Sequence, residues 1–161
     1  MKVYLRPPHT SDVDILFEWE NNPDNWEVSD TKDAFIKKQI EDFVQSTHDI
    51  YINQQYRFMI CLEQTDEAIG CIDLFEFNEQ QKRVGVGILI GNEKERKKGF
   101  ARQSLQLLVD YCKNQLKVRC VFCHIFKENT NSIRLFEKCG FRFIEERELF
   151  GKPVNYYELK L

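Results

Sequence analysis

No window of the chain reaches the roughly 18 uninterrupted apolar residues that a membrane-spanning helix needs. The opening run Met1-Lys2-Val3-Tyr4-Leu5-Arg6-Pro7 lacks the apolar core of a secretory leader. These two absences predict a cytosolic protein without a membrane partner. Proline and glycine are scarce, four and seven residues in 161, which leaves no flexible linker and predicts one domain over residues 1–161. Excess positive charge is missing too: the net charge is −3 and the pI about 5.7, which argues against nucleic acid as a partner. No internal repeat or low-complexity tract occurs. No second Cys/His pair completes a zinc spacing, so no metal is expected.

What is present is the composition of an ordinary globular chain, 42% hydrophobic and 30% charged, long enough to bury a core without staples. Six cysteines in a cytosolic protein should be reduced. Cys61, Cys71, Cys112, Cys120 and Cys139 lie in apolar runs and read as small core residues. Cys120-Val121-Phe122-Cys123-His124 spells a haem-attachment string. The segment from Val118 to Phe126 is nevertheless a short β-branched and aromatic run, read as a buried strand. An offset of three on a strand puts the two thiols on opposite faces, where one haem cannot bond both.

The patterning predicts a mixed sheet. A strand over Val3 to Arg6 is stopped by Pro7-Pro8. Ser11 offers an N-cap to a helix carrying Val13, Leu16 and Phe17, closed by Asn22-Pro23. Asp30 or Thr31 caps a second helix with an Ile36, Ile40, Phe43, Val44 stripe. His48 to Gln55 reads as a polar turn. Strands over 57–63, 68–78 and 83–90, joined by short polar links, form antiparallel hairpins. A helix over 100–115, a strand over 118–126, a helix over 130–139 with Gly140 as its C′ residue, and strands over 141–148 and 154–161 follow. The sum is an α/β fold of about seven strands and about four helices, antiparallel at first and then βαβ.

The chemistry concentrates where the third hairpin strand leads into the long helix. Arg96-Lys97-Lys98-Gly99-Phe100-Ala101-Arg102 is a basic turn with glycine opening a helix. Such a turn offers backbone N–H groups at a positive helix terminus, which suits a phosphate or pyrophosphate. No Walker loop is present, and Gly85 and Gly87 lie within a strand, so they make no dinucleotide fingerprint. They suggest a bulge, or a strand that a ligand approaches closely.

Arg96-x-x-Gly99-x-Ala101 resembles the R/Q-x-x-G-x-G/A loop of the GNAT family of N-acetyltransferases. Asn129-x-x-Ser132-x-x-Leu135-Phe136-x-x-x-Gly140-Phe141 resembles that family's N-x-x-S/A-x-x-L-Y/F-x-x-x-G-F signature. Leu5-Arg6-Pro7 and Glu18-Trp19-Glu20-Asn21-Asn22-Pro23 are similar to the branch holding ribosomal-protein N-terminal and spermidine acetyltransferases. The resemblance implies a mostly antiparallel sheet splayed between its fourth and fifth strands, with acetyl-CoA in the gap. It implies that backbone groups of Ile88 and Ile90 bond the pantetheine, that Leu89 or Ile90 supplies an oxyanion donor, and that Arg96, Lys97, Lys98, Gly99, Phe100 and Ala101 hold the pyrophosphate. It further gives Ser104 a phosphate contact and Asn129 a pantetheine contact. Phe136 occupies the position where the family often carries a tyrosine general acid, and Tyr111, Tyr156 or Tyr157 could substitute.

The implied reaction is direct attack of a primary amine on the thioester. An alkyl amine has a pKa of ~10, so a base must remove its proton. His124, Asp73 and Glu20 are the catalytic candidates, with Trp26, Glu27 and Glu76 placed in the acceptor site. Residues 11–33 hold eight acids and one base, which favours a cationic acceptor. A polyamine, an amino sugar or a protein N-terminus would fit, and the resemblance leaves room for a homodimer. Two other readings stand beside this one: a non-catalytic acyl-CoA-binding module, motivated by Phe136, and a nucleotide-binding regulatory domain.

Overall fold

A computed structural model describes residues 1–22, 37–46 and 48–161. Seven strands form one sheet: β1 (Val3–Arg6), β2 (Tyr56–Leu62), β3 (Ala68–Asn78), β4 (Arg83–Leu89), β5 (Cys120–Phe126), β6 (Arg142–Leu149) and β7 (Lys152–Lys160). Their spatial order is β1-β2-β3-β4-β5-β7-β6, antiparallel throughout except for β4 and β5. That one parallel pair is joined by a helical crossover, as parallel neighbours require. The helices are α1 (Val13–Asn21), α2 (Lys37–Gln45), α3 (Ile50–Asn53), α4 (Phe100–Tyr111) and α5 (Thr130–Lys138).

Alternation in the strands sorts the core onto two faces. Val84 and Val86 of β4 join Leu105 and Leu108 of α4 and Phe136 of α5 on one face. Met59, Cys61 and Cys71 join Leu16, Trp19, Ile40 and Val44 of α1 and α2 on the other. Leu105 and Leu108 are fully buried, each contributing about 2 kcal/mol of transfer free energy. All six thiols are free, and every one except the half-buried Cys139 is buried.

Several local expectations change. Ser11 does not cap α1. A short 3-10 turn over Thr10–Asp12 precedes that helix, and Asp12 is buried, accepting the His9 N–H at 2.7 Å and two Arg6 N–H groups at 2.7 and 2.9 Å. A carboxylate taken out of water needs these donors, and Arg6 at the end of β1 supplies them. Residues 48–55 are more than a turn, because Asp49 caps α3 by accepting the Tyr51 N–H, and Ile50 is buried. The α4 helix widens into a π turn over Cys112–Leu116 before Lys117 ends it with φ 56°. The expected cap at Asp30 or Thr31 lies outside the described residues, as does Ile36. The C-terminal signal of α5 appears as read: Gly140 has φ +91°, and the Phe141 N–H reaches the Phe136 carbonyl at 3.0 Å.

The feature that creates a site is the parting of β4 from β5. They pair at Arg83↔Cys120, Val84↔Val121 and Gly85↔Phe122. Beyond that register β4 runs on to Leu89 and β5 to Phe126 without pairing to each other. The edge of β4 facing the gap therefore has main-chain groups without ladder partners, a strand edge ready to accept an extended ligand.

Candidate active site

A cleft of about 490 Å³ opens on the sheet face at this gap. Gly87 of β4 and His124 and Phe126 of β5 line its splayed side, and Tyr56, Arg57, Asp73, Phe75 and Glu76 line it from β2 and β3. The end of α2 contributes Phe43, and the β6–β7 turn contributes Phe150. Sequence reading placed Asp73, Glu76 and His124 here, and the fold brings these three together.

The charges in the cleft are organised by a residue the sequence reading missed. The Arg57 Nε and one terminal nitrogen each donate to an Asp73 oxygen at 2.7 Å, and the other terminal nitrogen donates to Glu20 at 3.3 Å. The guanidinium is desolvated, yet the two carboxylates outweigh that penalty and hold its pKa well above the usual arginine value. Asp73 and Glu20 are thus committed to an ion-pair cluster, so as bases they would compete with a fixed guanidinium. Asp73 lines the cleft, whereas Glu20, on α1, is not among its lining residues. The signal was available in principle, since Arg57 faces Asp73 across the β2–β3 ladder, but no sequence pattern states the register.

His124 differs. Its ring is half-buried, edge-on to Phe122 with centroids 5.9 Å apart and tilted against Tyr156 at 5.1 Å. Burial, then the Arg147 guanidinium, whose Nη1 lies 3.4 Å from the His124 Nε2, pull its pKa below the ordinary imidazole value, with Glu76 opposing. Arginine can only donate, so Nε2 is the unprotonated nitrogen, and the neutral imidazole can accept a proton there at neutral pH once Arg147 yields the position.

Past the splayed, C-terminal end of β4 lies the basic loop. The Arg96 Nε donates to the Ile90 carbonyl at 2.8 Å, tying the loop to the strand end. Lys97 has φ 63°, and Gly99, the N-cap of α4, has φ +85° with nothing within 4 Å of where a Cβ would stand. The first N–H groups of α4, from Phe100 onward, lack intrahelical acceptors by the geometry of any helix start. Lys97, Lys98 and Gly99 are exposed around them. Backbone donors, a positive helix end and open space are features that suit an anion.

Other expected contacts fall elsewhere. Ser104 is wholly buried and donates to the Phe100 carbonyl at 2.8 Å, so its hydroxyl is withheld from any phosphate. Asn129 caps α5, its side-chain oxygen accepting the Ser132 N–H at 3.3 Å, which leaves its amide NH2 for a ligand. Phe136 packs edge-on against Phe141 in the core, with ring centroids 5.0 Å apart. Tyr156 is buried, with its hydroxyl held between Arg83 and Glu158 at 2.6 Å each. Tyr157 is buried as well, and Tyr111 packs edge-on against Phe58. None of these three tyrosines lines the cleft, whereas Tyr56 does. Trp19 is core, pressed against Gly91. Trp26 and Glu27 lie outside the described residues. Of the acids expected to form an acidic rim, Asp12 and Glu20 are paired with Arg6 and Arg57, and Asp14 with Lys37 at 2.9 Å. These are three of the eight acids; Asp24, Glu27, Asp30 and Asp33 lie outside the described residues.

Among the described residues no group of His, Cys, Asp or Glu could hold a metal ion, and no helix is long and apolar enough to cross a membrane.

Comparison with known proteins places this geometry in context. A family model described as Acetyltransferase (GNAT) domain matches residues 2–142. An N-acetyltransferase called p20, from Bacillus licheniformis, is 27% identical over 142 residues, covering 88% of this chain and 79% of the relative. The spermidine N(1)-acetyltransferase of Vibrio cholerae is 29% identical over 135 residues, covering 84% and 69%. The crystal structure of spermidine N-acetyltransferase from Vibrio cholerae in complex with CoA and spermine superposes with a TM-score of 0.88 at 22% identity, covering 99% of this chain and 95% of that one. A dodecameric structure of that enzyme superposes with a TM-score of 0.80 at 23% identity, over 99% and 94% of the two chains.

Proposed function

Because the chain belongs to the GNAT acetyltransferase family and transfers an acetyl group from acetyl-CoA to an amine, we propose that its acceptor is a cationic aliphatic amine of the polyamine class, bound in the cleft beside Asp73 and His124. The observation that carries this reading is the cleft itself. It joins an apolar, aromatic lining to the Asp73 carboxylate that Arg57 holds, the exposed Glu76 and a neutral imidazole, at the point where β4 leaves β5.

The residues divide the work. Backbone N–H groups from Lys97 to Ala101 hold the pyrophosphate, the expected Arg96 N–H being taken by the Glu93 carbonyl at 3.2 Å, with Lys97 and Lys98 adding positive charge. Main-chain groups of Ile88 and Ile90 bond the pantetheine arm, strand to strand. An N–H at Leu89 or Ile90 faces the developing oxyanion, where a fixed donor acts without reorganising. Asp73 and Glu20, with Arg57 between them, and Glu76 draw the ammonium into the cleft. Desolvation there lowers the ammonium's pKa, and His124 takes the proton. Acetyl-CoA, when bound, contributes the activated thioester carbonyl. The departing thiolate has a pKa of roughly 8.5, so it leaves tolerably well without an acid. Tyr56, whose phenol is pushed up by burial and so stays protonated, is the tyrosine that lines the cleft among the described residues.

The test is a thiol-release assay with acetyl-CoA and a panel of spermidine, an amino sugar and an N-terminal peptide. Turnover on spermidine well above the other two is the expected outcome. Thermal protection by coenzyme A with no turnover on any amine would instead favour an acyl-CoA-binding module, a reading supported by the core placement of Phe136. Protection by ATP rather than acetyl-CoA would favour a regulatory nucleotide-binding domain.

Self-association belongs to the same proposal. Strand β6 is a sheet edge, and Phe143 and Ile144 on it are 53% and 49% exposed. An apolar open edge is an invitation to pairing. Sedimentation at micromolar concentration should find a species larger than the 19.3 kDa monomer. Six free thiols fit a reducing, cytosolic setting.

A further inference from the structure

Strand β4 carries two glycines on one face, and they serve different ends. At Gly85 a Cβ would stand 2.4 Å from the Phe75 ring, so this glycine exists to seat an aromatic side chain. At Gly87, two residues on, a Cβ would meet nothing within 4 Å, and the residue lines the cleft. Gly87 is not among the residues with positive φ, so its backbone does not require glycine. Glycine inside a strand weakens the strand. What the position gains is a bare patch of cleft floor. That patch lies directly opposite Asp73 in the β3–β4 ladder, with His124 lining the same cleft.

We propose that Gly87 is a specificity-determining residue: its missing side chain leaves a channel across β4 for the carbon chain of an extended aliphatic amine, whose reacting nitrogen sits beside Asp73 and His124. Phe75 and Phe126 give that channel apolar walls, and Glu76, exposed on the β3 bulge with φ 49°, offers an anionic group for a second ammonium. The acceptor class this selects is a long linear diamine or polyamine over a compact monoamine. The inference rests on the amine-acceptor reading above and extends it to a position where a Cβ has room.

The experiment compares Gly87→Leu and Gly87→Ala with the unaltered protein, using spermidine and n-propylamine as acceptors and calorimetry with acetyl-CoA as the control for an intact donor site. A leucine should lower the ratio of kcat/KM for spermidine over n-propylamine by about tenfold or more, the range that added methylenes impose on a filled pocket. Alanine should move the ratio the same way by less, with no fall in Tm. A ratio unchanged in both variants while acetyl-CoA still binds overturns the inference and leaves the amine-acceptor reading standing. Should the unaltered protein bind acetyl-CoA yet acetylate neither amine, that reading fails. Gly87 is then judged by direct spermidine binding, where equal affinity in all three proteins, or none in any, overturns it. If Gly87→Leu does not fold, Gly87→Ala decides by the same ratio.

Discussion

Replacing Gly99 separates two roles that one residue performs in the anion loop. The residue caps α4 with φ +85°, and space around it is open. Sequence reading alone expects Gly99→Glu to abolish cofactor binding with the fold intact. The left-handed backbone changes that expectation, because any Cβ there costs about 1–2 kcal/mol. In a chain of this length each kcal/mol lowers Tm by roughly 2–4 °C. Gly99→Ala and Gly99→Glu should therefore share a Tm loss of roughly 2–8 °C, and Gly99→Asn should lose less, since asparagine tolerates this region. The charge acts separately. A carboxylate ~5 Å from a diphosphate charge repels it by roughly 1–3 kcal/mol as the effective dielectric falls from that of water to ~20. Glutamate should then weaken acetyl-CoA binding roughly tenfold to hundredfold beyond alanine in calorimetry at low salt. At about 1 M salt, where the screening length is near 3 Å, the difference should shrink. Equal affinities for the alanine and glutamate variants at low salt would refute the placement of the pyrophosphate at this helix start.

Arg57→Met should cost about 2–4 kcal/mol in urea denaturation at pH 7.5, because it strands Asp73 and Glu20 in a partly buried site. A loss under ~0.5 kcal/mol would mark the cluster as an ordinary surface pair. His124→Gln should lower kcat/KM by roughly 10²–10⁴. In the unaltered protein kcat/KM should rise with pH through a pKa below the usual 6.5 and then level off. The same shift has a stability consequence. The unfolded state binds the proton first, so stability falls as pH drops below 6.5 towards the folded pKa and is unaffected by this group above 6.5. A variant that keeps the same acidic limb would show that another group sets it. Although burial works against its charge, Asp12 is held below the ordinary carboxylate value by Arg6 and the His9 N–H. Asp12→Asn should thus destabilise at pH 7 by more than at pH 3, where the unfolded carboxyl takes up its proton first and the stabilisation is being lost.

Much of the fold could be read from local pattern. The limits of β1 and β3, the start of α4 and the glycine that ends α5 follow from alternation, turn residues and capping chemistry, each decided within a few residues. The glycine turn that opens α4 was legible for the same reason: a basic turn with glycine before an apolar helix is a local arrangement. Readings failed where a residue's role depends on a distant partner. Ser11 looked like the cap because the pairing of Asp12 with Arg6 is not written nearby. Ser104 looked available because nothing in its neighbourhood states that α4 buries it. Asp73 and Glu20 looked like bases because Arg57 meets them only through strand register and helix docking.

The chain's own order of residues settled which segments become strands and helices, that a basic, glycine-bearing turn opens α4, and that tyrosine is missing at position 136. These are short-range matters of backbone preference and side-chain size. Tertiary packing alone decided where β4 parts from β5, that Arg57 occupies two carboxylates, that His124 stays neutral beside Arg147, and that Gly87 is bare while Gly85 is filled. The physical reason is that desolvation, charge pairing and empty space are properties of what surrounds a side chain, and those surroundings come from segments tens of residues away.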